Sequence, residues 1–232
     1  MASSSSTPFF RPALFSFFRE LAANNDRGWF ESHKEQYESD ALEPALAFIT
    51  AFGSKLEPIS PHFLAVPRKA GGSLYRIHRD TRFSLDKSPY KTHLGIHFRH
   101  ARHKDAHAPG FYLHLQPGRC FMGAGIWRPD SATLRKIRNQ LVANPEGWQR
   151  ATSARTLGER IEVADERLKL PPRGFDPKHP LIEDLKRKDF TCFARLSQKE
   201  VTSGDFLDGY AGLCRSAGPF VSYLCKAVEV PF

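Results

Sequence analysis

The sequence predicts an α+β fold with an antiparallel sheet in the middle of the chain, flanked by N-terminal and C-terminal helices. Three observations lead there. Apolar residues recur at helical spacing from Phe10 to Leu56, and again from Leu134 to Leu224. Between His62 and Trp127 the pattern changes to short β-rich segments bounded by Gly, Pro and Asp. Helices, clustered strands, then helices again is not the alternation that builds a parallel sheet.

Thr7 and Pro8 offer a hydroxyl N-cap and an N1 proline for the first helix. Phe10, Leu14, Phe17, Phe18 and Leu21 then share one helical face. Asn24, Asn25 and Asp26 end that helix and cap a second one, which carries Trp29, Phe30, His33 and Tyr37 on one side. A break is expected at Pro44, after which Leu46, Ile49, Phe52 and Leu56 continue the pattern to Pro58. Segments 63–66, 74–77, 94–98, 111–115 and 120–126 read as strands of an antiparallel meander. Gln116, Pro117, Gly118 and Arg119 supply a hairpin connection. Asp130 or Ser131 caps a helix bearing Leu134, Ile137 and Leu141, and Asn144-Pro145 opens a short one around Trp148. Residues 150–180 are polar and Pro-rich, and 190–196 read as a further strand. Ser203 caps a final pair of helices that Pro219 separates, carrying Phe206, Leu207, Tyr210 and Leu213, then Phe220, Val221 and Leu224.

The 232 residues are 41% hydrophobic and 25% charged. A chain of this length buries about 70% of its unfolded surface and needs no disulfide or metal to fold. Residues 1–7 are expected to be a disordered Ser-rich start, and 8–232 a single α+β domain. No run approaches the ~20 apolar residues of a membrane span. The start also lacks the basic and apolar regions of a secretory signal. Cys120, Cys192, Cys214 and Cys225 lie in apolar stretches with no C-x-x-C pair, as in proteins of a reducing compartment. A cytoplasmic location without membrane attachment is the expectation. Lys and Arg outnumber Asp and Glu by 34 to 25, a net charge of +9. That balance favours anionic partners, or simply keeps the chain soluble.

The densest chemistry is the run Y-R-I-H-R-D-T-R-F-S-L-D-K-S-P-Y-K at residues 75–91. In an extended chain Arg76, His78, Asp80 and Arg82 share one face. Guanidinium forks beside carboxylates suit phosphate or carboxylate recognition. The expected ligand site is Arg76, Arg79, Asp80, Arg82, Phe83, Ser84, Asp86, Lys87, Tyr90 and Lys91, with Tyr75 as a further aromatic wall. Ser84 adds a hydroxyl, Ser88-Pro89 turns the chain back, and Asp80 or Asp86 orients the cations or acts as a base. On this reading the protein binds a small anionic ligand, and no reaction or catalytic residue is named. Two readings compete with it. In one, the motif is a core ion-pair network of a structural or interaction protein. In the other, the basic tracts 99–104 and 186–188 bind nucleic acid weakly and without sequence preference, although recognised nucleic-acid signatures are absent.

The run R-I-H-R-D-T-R-F-S-L-D-K-S-P-Y-K resembles the signature of the uncharacterised family catalogued as domain of unknown function 2461. So do F-F-R-E-L-A-A-N-N-D-R-G-W-F near the start, and G-F-Y-L-H-L-Q-P-G followed by Gly123-Ala124-Gly125 and Trp127. A fourth match is R-G-F-D-P-K-H-P-L at 173–181. The resemblance covers nearly the whole chain. It implies one full-length domain with residues 76–91 as its distinctive element, and it brings no activity or catalytic residue.

Other signals are weaker. His93, His97, His100, His103 and His107 match no zinc spacing and lie among Arg99, Arg102 and Lys104, so a solvated basic loop is expected, with no metal and no cofactor. Gly123-x-Gly125 lacks the third glycine and the helix start of a phosphate loop. Ser84, His78 and Asp80 sit in no nucleophile-elbow context. Asn24, Asn25, Asp26 and Arg27 read as turn and cap chemistry.

Overall fold

Pro12 opens the first helix in the computed structural model, which describes residues 7–102 and 109–232. The expected disordered start lies outside the described residues, apart from Thr7, and so do His103 and His107. Helix α1 (Pro12–Ala23) begins one turn later than the Thr7-Pro8 cap predicted. A residue before proline is held extended, and Arg11 has φ −113° and ψ 163°, so a helix begun at Pro8 would stop there. The predicted apolar face is nonetheless the one that is buried. Asp26 caps α2 (Arg27–Ser32), accepting the Trp29 N–H at 3.0 Å.

The expected break at Pro44 is instead a widened turn. Helix α3 (Lys34–Tyr37) runs through a π turn (Glu38–Leu42) into α4 (Glu43–Leu56), with Pro44 in the first turn of α4. The wider turn moves the proline ring off the carbonyl four residues back without ending the helix.

Among the described residues five antiparallel strands follow: β1 (Leu94–Arg99), β2 (Gly110–Gln116), β3 (Arg119–Ile126), β4 (Glu162–Val163) and β5 (Phe190–Leu196), in spatial order β1-β2-β3-β5-β4. Pro117-Gly118 joins β2 to β3, with Gly118 at φ +76°, as the hairpin signal required. Segments 63–66 and 74–77 are not strands. Among the described residues they make only the single bridges Phe63↔His100 and Leu74↔Ile96, because Pro67 and the Gly71-Gly72 pair bend the chain before a ladder can extend.

Helices α5 (Ser131–Ala143), α6 (Pro145–Thr152), α7 (Ala154–Leu157) and α8 (Ile182–Leu185) lie between β3 and β5 in the chain. Asp130 and Asn144 cap α5 and α6 as expected. Helix α9 (Gln198–Val201) starts with a Ser197–Glu200 capping box that escaped the sequence reading. The final pair of helices is a single one, α10 (Phe206–Ala227), which passes through Pro219. Gly218 has no Cβ to clash with the proline ring, and buried residues recur along the helix from Phe206 to Ala227, which outweighs one lost hydrogen bond.

Strand register gives the sheet two unlike faces. Leu94, Ile96 and Phe98 align with Leu115, Leu113 and Phe111, and these with Cys120, Met122 and Ala124. This face is buried beneath α4 and α10, where Phe98 meets Phe52 with ring centroids 4.5 Å apart. The other face carries Gly95, His97, Tyr112, His114, Phe121, Gly123, Phe193 and Arg195.

The solvated-loop reading of the histidines is therefore corrected. His97 lies on β1 opposite Tyr112, and both His97 and His100 are buried. The His100 ring accepts from the Arg102 N–H through Nδ1 and donates from Nε2 to the Pro231 carbonyl at 2.9 Å. Neighbouring arginines made this stretch look solvated, but strand pairing decides burial. All four cysteines are free thiols in the buried interior. Among the described residues no helix is long and apolar enough to cross a membrane, and no group of three His, Cys, Asp or Glu is placed to hold a metal ion.

Candidate functional site

Glycines shape the open face of the sheet. A Cβ at Gly95 would stand 2.7 Å from the Tyr112 hydroxyl and 3.1 Å from the Tyr75 ring, and one at Gly110 would run into the His97 ring. These two positions let Tyr112 and His97 lie flat across neighbouring strands. Gly123 leaves open floor, since a Cβ there would meet nothing closer than 3.7 Å. The result is a cleft of about 850 Å³ between this floor, the segment bearing Lys91 and His93, and the ends of β3 and β5.

Two tyrosine–histidine pairs line it. The Tyr75 hydroxyl lies 3.1 Å from His97 Nδ1, and the Tyr112 hydroxyl 3.0 Å from His114 Nδ1. His114 Nε2 is 3.1 Å from Gln116 Oε1, which only accepts. His114 thus carries its proton on Nε2, and Tyr112 donates to Nδ1. The His114 ring stacks with Phe121 at 4.7 Å and with His93 at 4.4 Å.

Burial and charge fix the protonation states. Burial first, then His114, Lys91 and Arg119, pull the His93 imidazole down to about 4. Burial likewise lowers His114, against the Gln116 hydrogen bond that raises it. Both Tyr112 and Tyr75 are raised by burial. At neutral pH the His93 and His114 imidazoles are therefore neutral and the Tyr75 and Tyr112 phenols intact. Among the described residues the formal charges of the cleft are Lys91, Arg119 and Arg195, and no Asp or Glu lines it. Lys91 is anchored on the Arg76 and His78 carbonyls, and Arg119 reaches over the Phe121 ring at 5.6 Å.

Residues 76–91 form a hairpin-like excursion and not one extended face. Arg79 N–H donates to the Pro89 carbonyl and Lys91 N–H to the Ile77 carbonyl, both at 2.8 Å, and the chain turns between them. Asn25 brackets the stem, donating to the Tyr90 carbonyl at 3.0 Å and accepting the Tyr90 N–H at 3.1 Å. Arg82 forks onto Asp80 at 3.0 and 2.7 Å. Arg79 pairs with Asp86 and reaches Ser84 Oγ at 3.5 Å, and Lys87 caps the Thr81 carbonyl at 3.0 Å. The neighbouring hydrogen bonds hold Asp80 and Asp86 below the usual carboxylate range, from Arg82 in the first case and chiefly from Ser88 in the second. Arg76 is exposed, and Phe83 and Leu85 are fully so, at 96% and 103%. Tyr90 is buried and stacks on Phe30 at 4.1 Å.

Of the ten predicted site residues, Lys91 lines the cleft. Arg79 and Tyr90 instead border a second cavity of about 370 Å³ with Arg27, Glu31 and His78. In the basic tract at 186–188, Lys186, Arg187 and Lys188 each engage a carboxylate: Glu183, Asp184 and Glu166. The residues that sequence reasoning missed are His93, Tyr112, His114, Arg119, Phe121, Phe193 and Arg195. Their signal was present as period 2: Tyr112 and His114 alternate with apolar neighbours, as Gly123 does in β3. Three segments that carried the family resemblance meet here, through Lys91, through Tyr112 and His114, and through Gly123, Gly125 and Trp127.

Residues 13–223 match the model of a family described as a conserved hypothetical protein, DUF2461. No curated protein and no solved structure matches the chain.

Proposed function

Because the chain belongs to the DUF2461 family of conserved hypothetical proteins, whose description names no activity, we propose a function from the cleft itself: the protein binds a small anion that carries a planar ring. The observation behind this reading is a cavity that, among the described residues, is lined by three cations, no carboxylate and a floor of aromatic rings. Lys91, Arg119 and Arg195 attract the charge, while Phe121, Phe193 and the stacked imidazoles offer flat apolar surface to the ring. Residues 76–91 serve this site through Lys91. The paired side chains of the tip, Arg79 with Asp86 and Arg82 with Asp80, brace the loop from which Lys91 returns.

Gly123→Leu tests the proposal. Its backbone needs no positive φ and a Cβ there has ordinary contacts, so the variant fills the cleft without straining the sheet. Phenyl phosphate, benzoate and adenosine monophosphate are the probes in a thermal-shift and calorimetric panel. A probe at 100 times its dissociation constant stabilises the intact protein by about 2.7 kcal/mol. Gly123→Leu is expected to keep its fold and lose that stabilisation, and Arg119→Ala to weaken it. No response from any probe, or equal binding by Gly123→Leu, refutes the site.

A further inference from the structure

Resting on the anion-binding reading, we infer that the cleft takes a phosphate monoester and that His93 is its proton-carrying contact, taking up about one proton as the ligand binds. The imidazole lines the cleft beside Lys91 and, among the described residues, its ring nitrogens have no hydrogen-bond partner. The other cleft histidines are committed. His114 has both nitrogens engaged, by Tyr112 and by Gln116, and His97 holds the Tyr75 hydroxyl at Nδ1. Among the described residues no carboxylate lines the cleft to accept a proton instead.

The charged and titratable groups facing His93 are Lys91 on its own segment, His114 on β2 and Arg119 on β3. None favours an imidazolium in the empty cleft, and the ring is held neutral, with its titration displaced to about 4. A phosphate monoester reverses that balance. It brings a charge of about −1.5 to −2 and three acceptor oxygens, against three cations that a single carboxylate leaves largely uncompensated. The proton comes from solvent, binds the free ring nitrogen of His93 and is donated as N–H to a phosphate oxygen. No bond to phosphorus is made or broken in this step.

Calorimetry with phenyl phosphate at pH 7, in buffers of unequal ionisation heat, counts the protons directly. The wild type is expected to take up about one proton per ligand. His93→Gln, which keeps a planar group over His114, is expected to bind more weakly and to take up almost none. Nitrogen-15 spectra of the wild-type imidazoles need no variant, and should show one ring converting to imidazolium on saturation. Binding without proton uptake overturns the role of His93 and leaves the anion site standing. Uptake that persists in His93→Gln overturns it as well, since another group then holds the proton. Absence of binding removes the anion site and this inference together.

Discussion

Gly125 sits at φ +114°, and a Cβ there would collide with the Phe190 carbonyl oxygen and lie 2.9 Å from the Phe220 ring. Gly118 also has positive φ, at +76°, but faces open space. Gly125→Ala therefore combines backbone strain with a clash inside the β3–β5 ladder, while Gly118→Ala suffers strain alone. Urea unfolding should show Gly118→Ala losing about 1–2 kcal/mol and Gly125→Ala clearly more. Equal losses would mean that β3 shifts to accept the methyl group. The two glycines look alike in sequence, and only their surroundings separate them.

At the scale of the element, α10 contains a contradiction that tertiary packing resolves. Pro219 is exposed, yet its neighbours Gly218 and Phe220 are buried. The ring thus adds little packing, while it deprives the helix of one hydrogen bond. Pro219→Ala should raise stability, by up to about 3 kcal/mol, read as a higher midpoint of thermal unfolding. A lower midpoint would show that the proline curves α10 to fit the sheet. The motif hairpin shows the reverse relation. Its ion pairs are local and solvent-exposed, whereas its stem is fixed from outside by Asn25 and by Tyr90 stacked on Phe30. Asn25 was legible as a turn residue, but its partner 65 positions away was not.

Over the whole molecule, one sheet face closes the hydrophobic core and the other holds the neutral imidazoles of His93 and His114 in a cation-lined cleft. This arrangement ties stability to pH through His93. Its titration in the folded state lies near 4, below the usual 6.5 of an unfolded chain. Between those values the unfolded state binds a proton that the folded state refuses, so stability falls as pH drops from about 6.5 to 4. The slope from one such group is at most about 1.4 kcal/mol per pH unit. His114 is displaced in the same direction and adds to it. Denaturation across this range should show the decline, and His93→Gln should flatten it. A slope unchanged in the variant would assign the effect to other groups.

Local chemistry was enough for much of this architecture. Pattern period identified the apolar faces of α1 and α4, the strands β1, β2, β3 and β5, the Pro117-Gly118 hairpin and the caps Asp26, Asp130 and Asn144. Each depends on residues a few positions apart, which a sequence displays directly. The cleft depends on register. His93, Tyr112, Arg119 and Arg195 come from separate segments, and only the pairing of β1, β2, β3 and β5 puts them on one face. The charge density of residues 76–91 pointed to the neighbourhood, because Lys91 leads from that loop into the cleft. Its arginines were misleading as a guide to the cleft floor, since charge along the chain does not reveal which cations neighbouring carboxylates already hold. Tertiary structure decided that, because a site assembled across strands is fixed by distances in space and not by spacing along the chain.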